Sequence, residues 1–402
     1  MRIACANWSR RRAGGVESYL EFLLEGLVGL GHDVALWSES DGSPERARLD
    51  VPGDAAEWCA AVEGVDSSIA ALRAWAPSVL FVHGLVEPAL ERRLLGIAPA
   101  VLMAHSYYGT CISGGKTLVF PSPRPCSREF GPACLAYFYP RRCGGLNPLT
   151  MVKEFRHQSD RLAVVRDYGT VLTLSGHMRR EYLRHGLPSD RVQTLPRYSP
   201  RPVAPARPAR PPTAGQLSLL FVGRIDRLKG CRLLIEALAG VAEATGRSVH
   251  LVVAGDGPDR SVCEDAAARA SEGGHVRVTF RGWVDPAERS ALLTEADVAV
   301  MPSLWPEPYG LAGLEALAAG VPLAAFASGG VPEWLRDGID GALAPADPPT
   351  AEGLTAAIVR CLGVSRRVPT APETIAAGQH EHLRAVEEHL GAATRIVSPA
   401  VR

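Results

Sequence analysis

Lysine is almost missing from this chain of 402 residues: Lys116, Lys153 and Lys229 are the only three, against 40 arginines. Each lysine therefore stands out from a strong arginine bias. An excess of either charge is missing as well, since 43 basic residues balance 43 acidic ones, and this removes the electrostatic ground for a nucleic-acid partner. No apolar run reaches the roughly 20 residues that a membrane-spanning helix needs. Residues 2–38 read as strand, polar loop, helix and strand without a small-residue cleavage site, so no secretory signal is expected. These absences point to the cytoplasm, with peripheral contact to a membrane left open. The dinucleotide fingerprint Gly-x-Gly-x-x-Gly does not occur. Nor does Asp-x-Asp, a pair able to hold a divalent metal on a diphosphate. Nine cysteines are present, but none is spaced Cys-x2-Cys as in a zinc knuckle. Cys111, Cys126, Cys134 and Cys143 cluster in one loop-rich stretch and are expected as reduced thiols, with a structural metal as the alternative.

What is present is alternation. Short β-branched runs (Arg2–Ala6, Asp33–Trp37, Val79–Val82, Val101–Ala104, Val171–Leu174) interleave with Ala/Leu helical patterns, and the same follows in Ser218–Val222, Val249–Ala254, Val276–Phe280, Val298–Met301 and Pro322–Phe326. That pattern predicts α/β domains with parallel sheets. Between the two series, residues 196–212 hold seven prolines in 17 residues, which reads as an extended linker. The expected division is a first Rossmann-like domain over 1–196, a linker over 197–216, a second such domain over 217–372 and a terminal helix over 373–402 that is able to cross back to the first domain. Within that helix, His380-Glu-His382 is expected on a solvated polar face, because i and i+2 point to different sides of a helix.

Glu307 and Glu315 stand eight positions apart. The first lies in a proline-bracketed loop after the strand Val298–Met301, and the second inside an Ala/Leu run that reads as a helix beginning near Gly310. The free N–H groups of such a helix start favour an anionic or hydroxyl-rich ligand, and Gly310 lets it approach closely. Plain helix-dipole partners are the alternative. Two further loops follow strands: Gly223-Arg224-Ile-Asp-Arg-Leu-Lys229-Gly230, whose two cations suit a diphosphate, and Arg10-Arg-Arg-Ala-Gly14-Gly15, whose glycines permit a tight turn. His105 ends the strand Val101–Ala104, and His177 reads as part of a helix start.

At this point the chain resembles a family. Glu307-x7-Glu315, followed by Ala316-x-Ala318-x-Gly320-x-Pro322 and Ser328-Gly-Gly-Val-Pro-Glu333, is similar to the retaining nucleotide-sugar glycosyltransferases of family 4. The resemblance implies a GT-B fold, in which two Rossmann-like doubly wound domains face each other across a cleft. It implies transfer of a sugar from a nucleotide-sugar donor to an acceptor hydroxyl on a glycan, a lipid-linked molecule or a small molecule, with anomeric retention and no divalent metal or other cofactor. By the same resemblance Glu315 binds the donor ribose and Glu307 the sugar hydroxyls. Gly310 and Leu311 add N–H contacts, and Arg224 and Lys229 hold the diphosphate. Gly14 and Gly15 approach the phosphates from across the cleft, and His105 positions the sugar. Trp283 or Val284 falls near the nucleotide base. Tyr309 and Ala312 depart from the family's usual Phe and Val. The rival readings are a catalytically silent nucleotide-sugar-binding subunit and a GT-B sugar epimerase.

Overall fold

Strands buried on both faces read as unbroken apolar runs, and Val79–Val82, Val298–Met301 and Leu323–Phe326 are buried at every position. A computed structural model describes residues 1–396 except 13, 54, 146, 199–214 and 366–368. The proline-rich run falls largely on 199–214 and so lies outside the described residues. Seven parallel strands form the first sheet in the order Ala56–Cys59, Asp33–Ser40, Arg2–Ser9, Val79–Val82, Ala100–Ala104, Thr170–Thr173, Val192–Thr194. Six parallel strands form the second, in the order Val276–Gly282, Ser248–Ala254, Gln216–Val222, Val298–Met301, Leu323–Phe326, Gly341–Ala344. Helices connect the strands, as parallel pairing requires. This is the GT-B architecture of two doubly wound α/β units.

In each sheet the strand order reverses beside its first strand, Arg2–Ser9 or Gln216–Val222. Open parallel sheets bind ligands at such switch points, beyond the carboxyl ends of the strands. The loops that leave those ends are Arg10–Gly15 in the first sheet, and Gly223–Gly230 and Pro302–Gly310 in the second.

The helix Pro372–Ile396 closes the fold against the helix Gly15–Gly29. Leu383, Val386 and Leu390 are buried there in one apolar cluster with Leu20, Leu23 and Leu24. Each such side chain contributes roughly 1.5–3 kcal/mol relative to leaving it in water. The approach is close: a Cβ on Gly26 would meet Leu383 Cδ1 at 2.5 Å. The expectation of a solvated face for His382 is corrected here. His382 is fully buried, its Nε2 2.6 Å from Tyr19 Oη and its Nδ1 2.7 Å from the Pro196 carbonyl oxygen, whereas His380 is exposed. The inward face is largely apolar, and it takes this one imidazole because both ring nitrogens meet hydrogen-bond partners there.

Candidate functional site

The loop that leaves Val298–Met301 carries Glu307, which is only 4 % exposed. Its Oε1 accepts hydrogen bonds from Lys229 Nζ at 2.7 Å and Ser303 Oγ at 2.5 Å. Lys229 comes from the loop after Gln216–Val222. That loop ends in a 3₁₀ turn, Arg227–Lys229, capped by Asp226, whose Oδ1 accepts the Leu228 and Lys229 N–H groups at 3.0 Å each. Gly230 follows at φ 72° and opens the helix Cys231–Thr245. A Cβ on Gly230 would lie 1.9 Å from the Pro302 carbonyl oxygen, so only glycine lets the two loops touch. The Lys229 ammonium also sits 5.0 Å from the Trp305 ring centroid, within cation–π range.

Arg224 Nε donates to Asp226 Oδ2 at 2.7 Å, with its side chain 64 % exposed. Asp226 thus caps the turn and orients the arginine together. The sequence reading missed that role, although an Asp three residues before Lys229 at a helix start is a capping signal. Ser303 was missed too; no local pattern marks it.

Gly310, at φ 88° and ψ 57°, opens the helix Leu311–Ala318. The first N–H groups of this helix have no intrahelical acceptor. Glu315 lies one turn in, with 19 % of its side chain exposed and Arg289 Nε 3.4 Å from Oε2. Burial pushes its carboxyl above the ordinary range, and Arg289 opposes that shift.

From the other sheet, the turn at Gly14 and Gly15 begins the helix Gly15–Gly29. Glu17 folds back on it, accepting the Gly14 N–H at 2.8 Å and Trp8 Nε1–H at 2.9 Å. A Cβ on Gly15 would meet Leu311 Cδ1 at 3.0 Å, so this turn touches the start of the helix that carries Glu315. Arg46 stacks over Trp283 with 3.9 Å to the ring centroid, a second bridge between the halves.

His105 makes contacts within the first domain. Its Nε2 lies 3.0 Å from His83 Nδ1, and its ring meets Tyr19 edge-on at 5.5 Å. Desolvation pushes the His105 imidazole down to about 3, so it is neutral near pH 7. His177 sits in the first turn of the helix Gly176–Arg184, capped by Ser175.

Cys111, Cys126, Cys134 and Cys143 line one cavity of about 20 Å³, and all four are unpaired. Burial pushes the Cys143 thiol up to about 12. Among the described residues, no group of three or more His, Cys, Asp or Glu side chains is arranged to hold a metal ion. No helix among them is long and apolar enough to cross a membrane. A cavity of about 310 Å³ lined by Arg336, Asp340, Thr370 and Ile375 includes none of the residues of this site.

Two family models match the chain. The one for "Glycosyltransferase Family 4" covers residues 13–198, and the one for "Glycosyl transferases group 1" covers residues 216–363. The 2-deoxystreptamine glucosyltransferase of Streptomyces kanamyceticus is 41 % identical over 120 residues, 30 % of each chain. The phosphatidyl-myo-inositol mannosyltransferase of Mycobacterium leprae is 37 % identical over 131 residues, 32 % of this chain and 33 % of that one. The matched stretches span about a third of the length of these curated relatives. Among solved structures, Anabaena HepE in complex with UDP and glucose superposes with a TM-score of 0.63 over 98 % of both chains at 14 % identity. WaaG, a glycosyltransferase involved in lipopolysaccharide biosynthesis, gives 0.62 over 99 % of this chain and 100 % of that one, at 18 % identity. At these identities the superpositions speak to the fold.

Proposed function

Since the chain belongs to the family 4 glycosyltransferases, we propose that it transfers a sugar from a nucleotide-sugar donor to an acceptor hydroxyl with retention at the anomeric carbon. The contact of Lys229 with Glu307 carries this reading. It sets a cation for a diphosphate against a carboxylate for sugar hydroxyls, beside the start of the helix Leu311–Ala318. Without donor the two groups neutralise each other. A diphosphate competes for the ammonium, and the sugar hydroxyls then find a desolvated carboxylate already fixed by Ser303. Charge grows on the departing diphosphate as its ester bond to the anomeric carbon breaks and the acceptor oxygen, losing its proton, bonds to that carbon. Lys229, Arg224 and the helix N-terminus therefore stabilise the transition state more than the bound donor. Glu315, on the same helix, takes the ribose hydroxyls, and Gly14 and Gly15 let the first-domain backbone approach the phosphates. His105, neutral and held by His83, acts as a positioning group for the sugar. No protein side chain is assigned as a covalent nucleophile. HepE, solved with UDP and glucose, supports a nucleotide-sugar as the donor class. The acceptor class stays a hydroxyl of a glycan, a lipid-linked molecule or a small molecule.

The test pairs binding with turnover. A thermal-shift screen of nucleotide sugars identifies the donor, since a ligand at 100 times its Kd adds about 2.7 kcal/mol. With that donor, Glu307→Gln is expected to keep nucleotide affinity and lose transfer, whereas Glu315→Ala mainly weakens donor binding. Equal losses of binding in both variants, measured by calorimetry, would sink the division of roles. Donor binding with turnover of no acceptor would favour a silent binding subunit.

A further inference from the structure

The backbone that carries Glu307 is held at four consecutive carbonyls. Pro306 O accepts from Tyr107 Oη at 2.7 Å, and Glu307 O accepts from the Gly330 N–H at 2.7 Å. Pro308 O accepts from Ser175 Oγ at 2.6 Å, and Tyr309 O accepts from Trp334 Nε1 at 2.6 Å. Two of these donors, Gly330 and Trp334, belong to the same domain as Glu307. The other two, Tyr107 and Ser175, belong to the first domain, and they grip the carbonyls on either side of Glu307. Both hydroxyls are buried with their residues, so neither exchanges its acceptor readily for water. Each is fixed in turn by a second partner. Tyr107 Oη lies 2.7 Å from His177 Nε2, and Ser175 Oγ accepts the Met178 N–H at 3.2 Å. Glu333 fastens the same corner by accepting the Gly176 and His177 N–H groups at 2.7 and 2.6 Å.

We propose that Tyr107 and Ser175 are positioning residues, first-domain hydroxyls that fix the second-domain carboxylate Glu307 in its working geometry. This rests on the assignment of Glu307 to the donor sugar made above. The consequence is a link between domain contact and catalysis. Glu307 reaches its working position only while the first domain touches the loop, because half of the hydrogen bonds to those four carbonyls come from there. Prolines on both sides stiffen the segment, so a shift at Pro306 or Pro308 carries directly to the carboxylate between them. Misplacing a group by about 1 Å costs on the order of 100-fold in rate.

Tyr107→Phe removes one hydroxyl and leaves the ring in place. Expected is a fall in kcat of roughly 10- to 100-fold, with the KM for donor within about twofold. Ser175→Ala should behave alike, with an added loss of stability because Ser175 also caps a helix. The deciding measurement is a double-variant cycle. Read on the residual transfer that Glu307→Gln retains at high enzyme concentration, Tyr107→Phe should cost nothing further in that background, because the group it positions is already disabled. A merely structural tyrosine would cost the same in both backgrounds. If Glu307→Gln lowers transfer to a small residual rate and Tyr107→Phe leaves kcat within twofold, the positioning role is wrong and the assignment of Glu307 stands. If Glu307→Gln leaves transfer intact, the assignment itself fails, and the positioning role fails with it.

Discussion

Lys229→Ala separates stability from turnover in a way that the geometry specifies. The Lys229–Glu307 pair is half-buried, with 30 % of the lysine and 6 % of the glutamate side chain exposed. Exposed pairs contribute about 0–1 kcal/mol, and breaking a buried pair costs about 3–5 kcal/mol because a charge is left stranded. An intermediate cost of about 2 kcal/mol follows, falling on the Glu307 carboxylate, which keeps its hydrogen bond from Ser303. Turnover should respond far more strongly. Removing one preorganised stabiliser of developing charge typically costs on the order of 100- to 1,000-fold. Donor affinity should change less, because in the free protein Lys229 must first give up Glu307, and the alanine variant has no such bond to break. Lys229→Arg should rescue in part, delivering charge with different geometry. The double variant Lys229→Ala with Glu307→Gln removes the stranded charge, so its stability should recover while its turnover stays low. The assays are steady-state transfer with saturating donor and denaturant unfolding without donor. Turnover of Lys229→Ala within threefold of the parent would refute the diphosphate role of Lys229 and weaken that of Arg224. Failure of the double variant to regain stability would refute the stranded-charge argument alone.

Two further outcomes are expected. Transfer should persist in excess chelator if Lys229 and Arg224 hold the proposed diphosphate role, supplying the positive charge that a metal would otherwise provide; activity lost to chelator and restored by magnesium or manganese would count against that, and restoration by zinc alone would point to Cys111, Cys126, Cys134 and Cys143. Stability should fall as pH drops from about 6.5 towards 4, because the fold holds His382 neutral with its pKa lowered from 6.5 to about 4 by burial, and holds His105 and His83 neutral as well. The sign follows from proton counting: below about 6.5 the unfolded chain binds protons that the folded one refuses, so acid favours unfolding. For His382 alone this amounts to about 3 kcal/mol by pH 4. Denaturant midpoints across this range should show a shallower acid limb in His382→Gln, and equal stability at pH 7 and pH 5 would contradict the buried neutral imidazoles.

Local pattern was enough to read much of this chain. Short β-branched runs marked ten of the strands, and an Ala/Leu run beginning near Gly310 marked the helix Leu311–Ala318. Loop positions were legible for the same reason: Gly14, Arg224, Lys229 and Glu307 all follow strands, and a parallel sheet gathers the ends of its strands on one edge. Such signals come from neighbours a few residues apart, whose sterics and periodicity decide between strand, turn and helix. The strands Ala56–Cys59, Val192–Thr194 and Gly341–Ala344 escaped that reading; they are the last strands of their sheets, three or four residues long and lacking a continuous β-branched run.

Pairing across the fold was not legible. Lys229 finds Glu307 from 78 positions away, and Tyr107 reaches the Pro306 carbonyl from 199. His382 was misread for the same reason, since Tyr19, the partner that makes its burial tolerable, lies 363 positions distant. A polar side chain is buried when it meets a hydrogen-bond partner, and which partner it meets depends on strand order and on how the two domains and the last helix come together. The chain's own periodicity placed each chemical group at a strand end or a helix start. Only the tertiary structure decided which of them face one another.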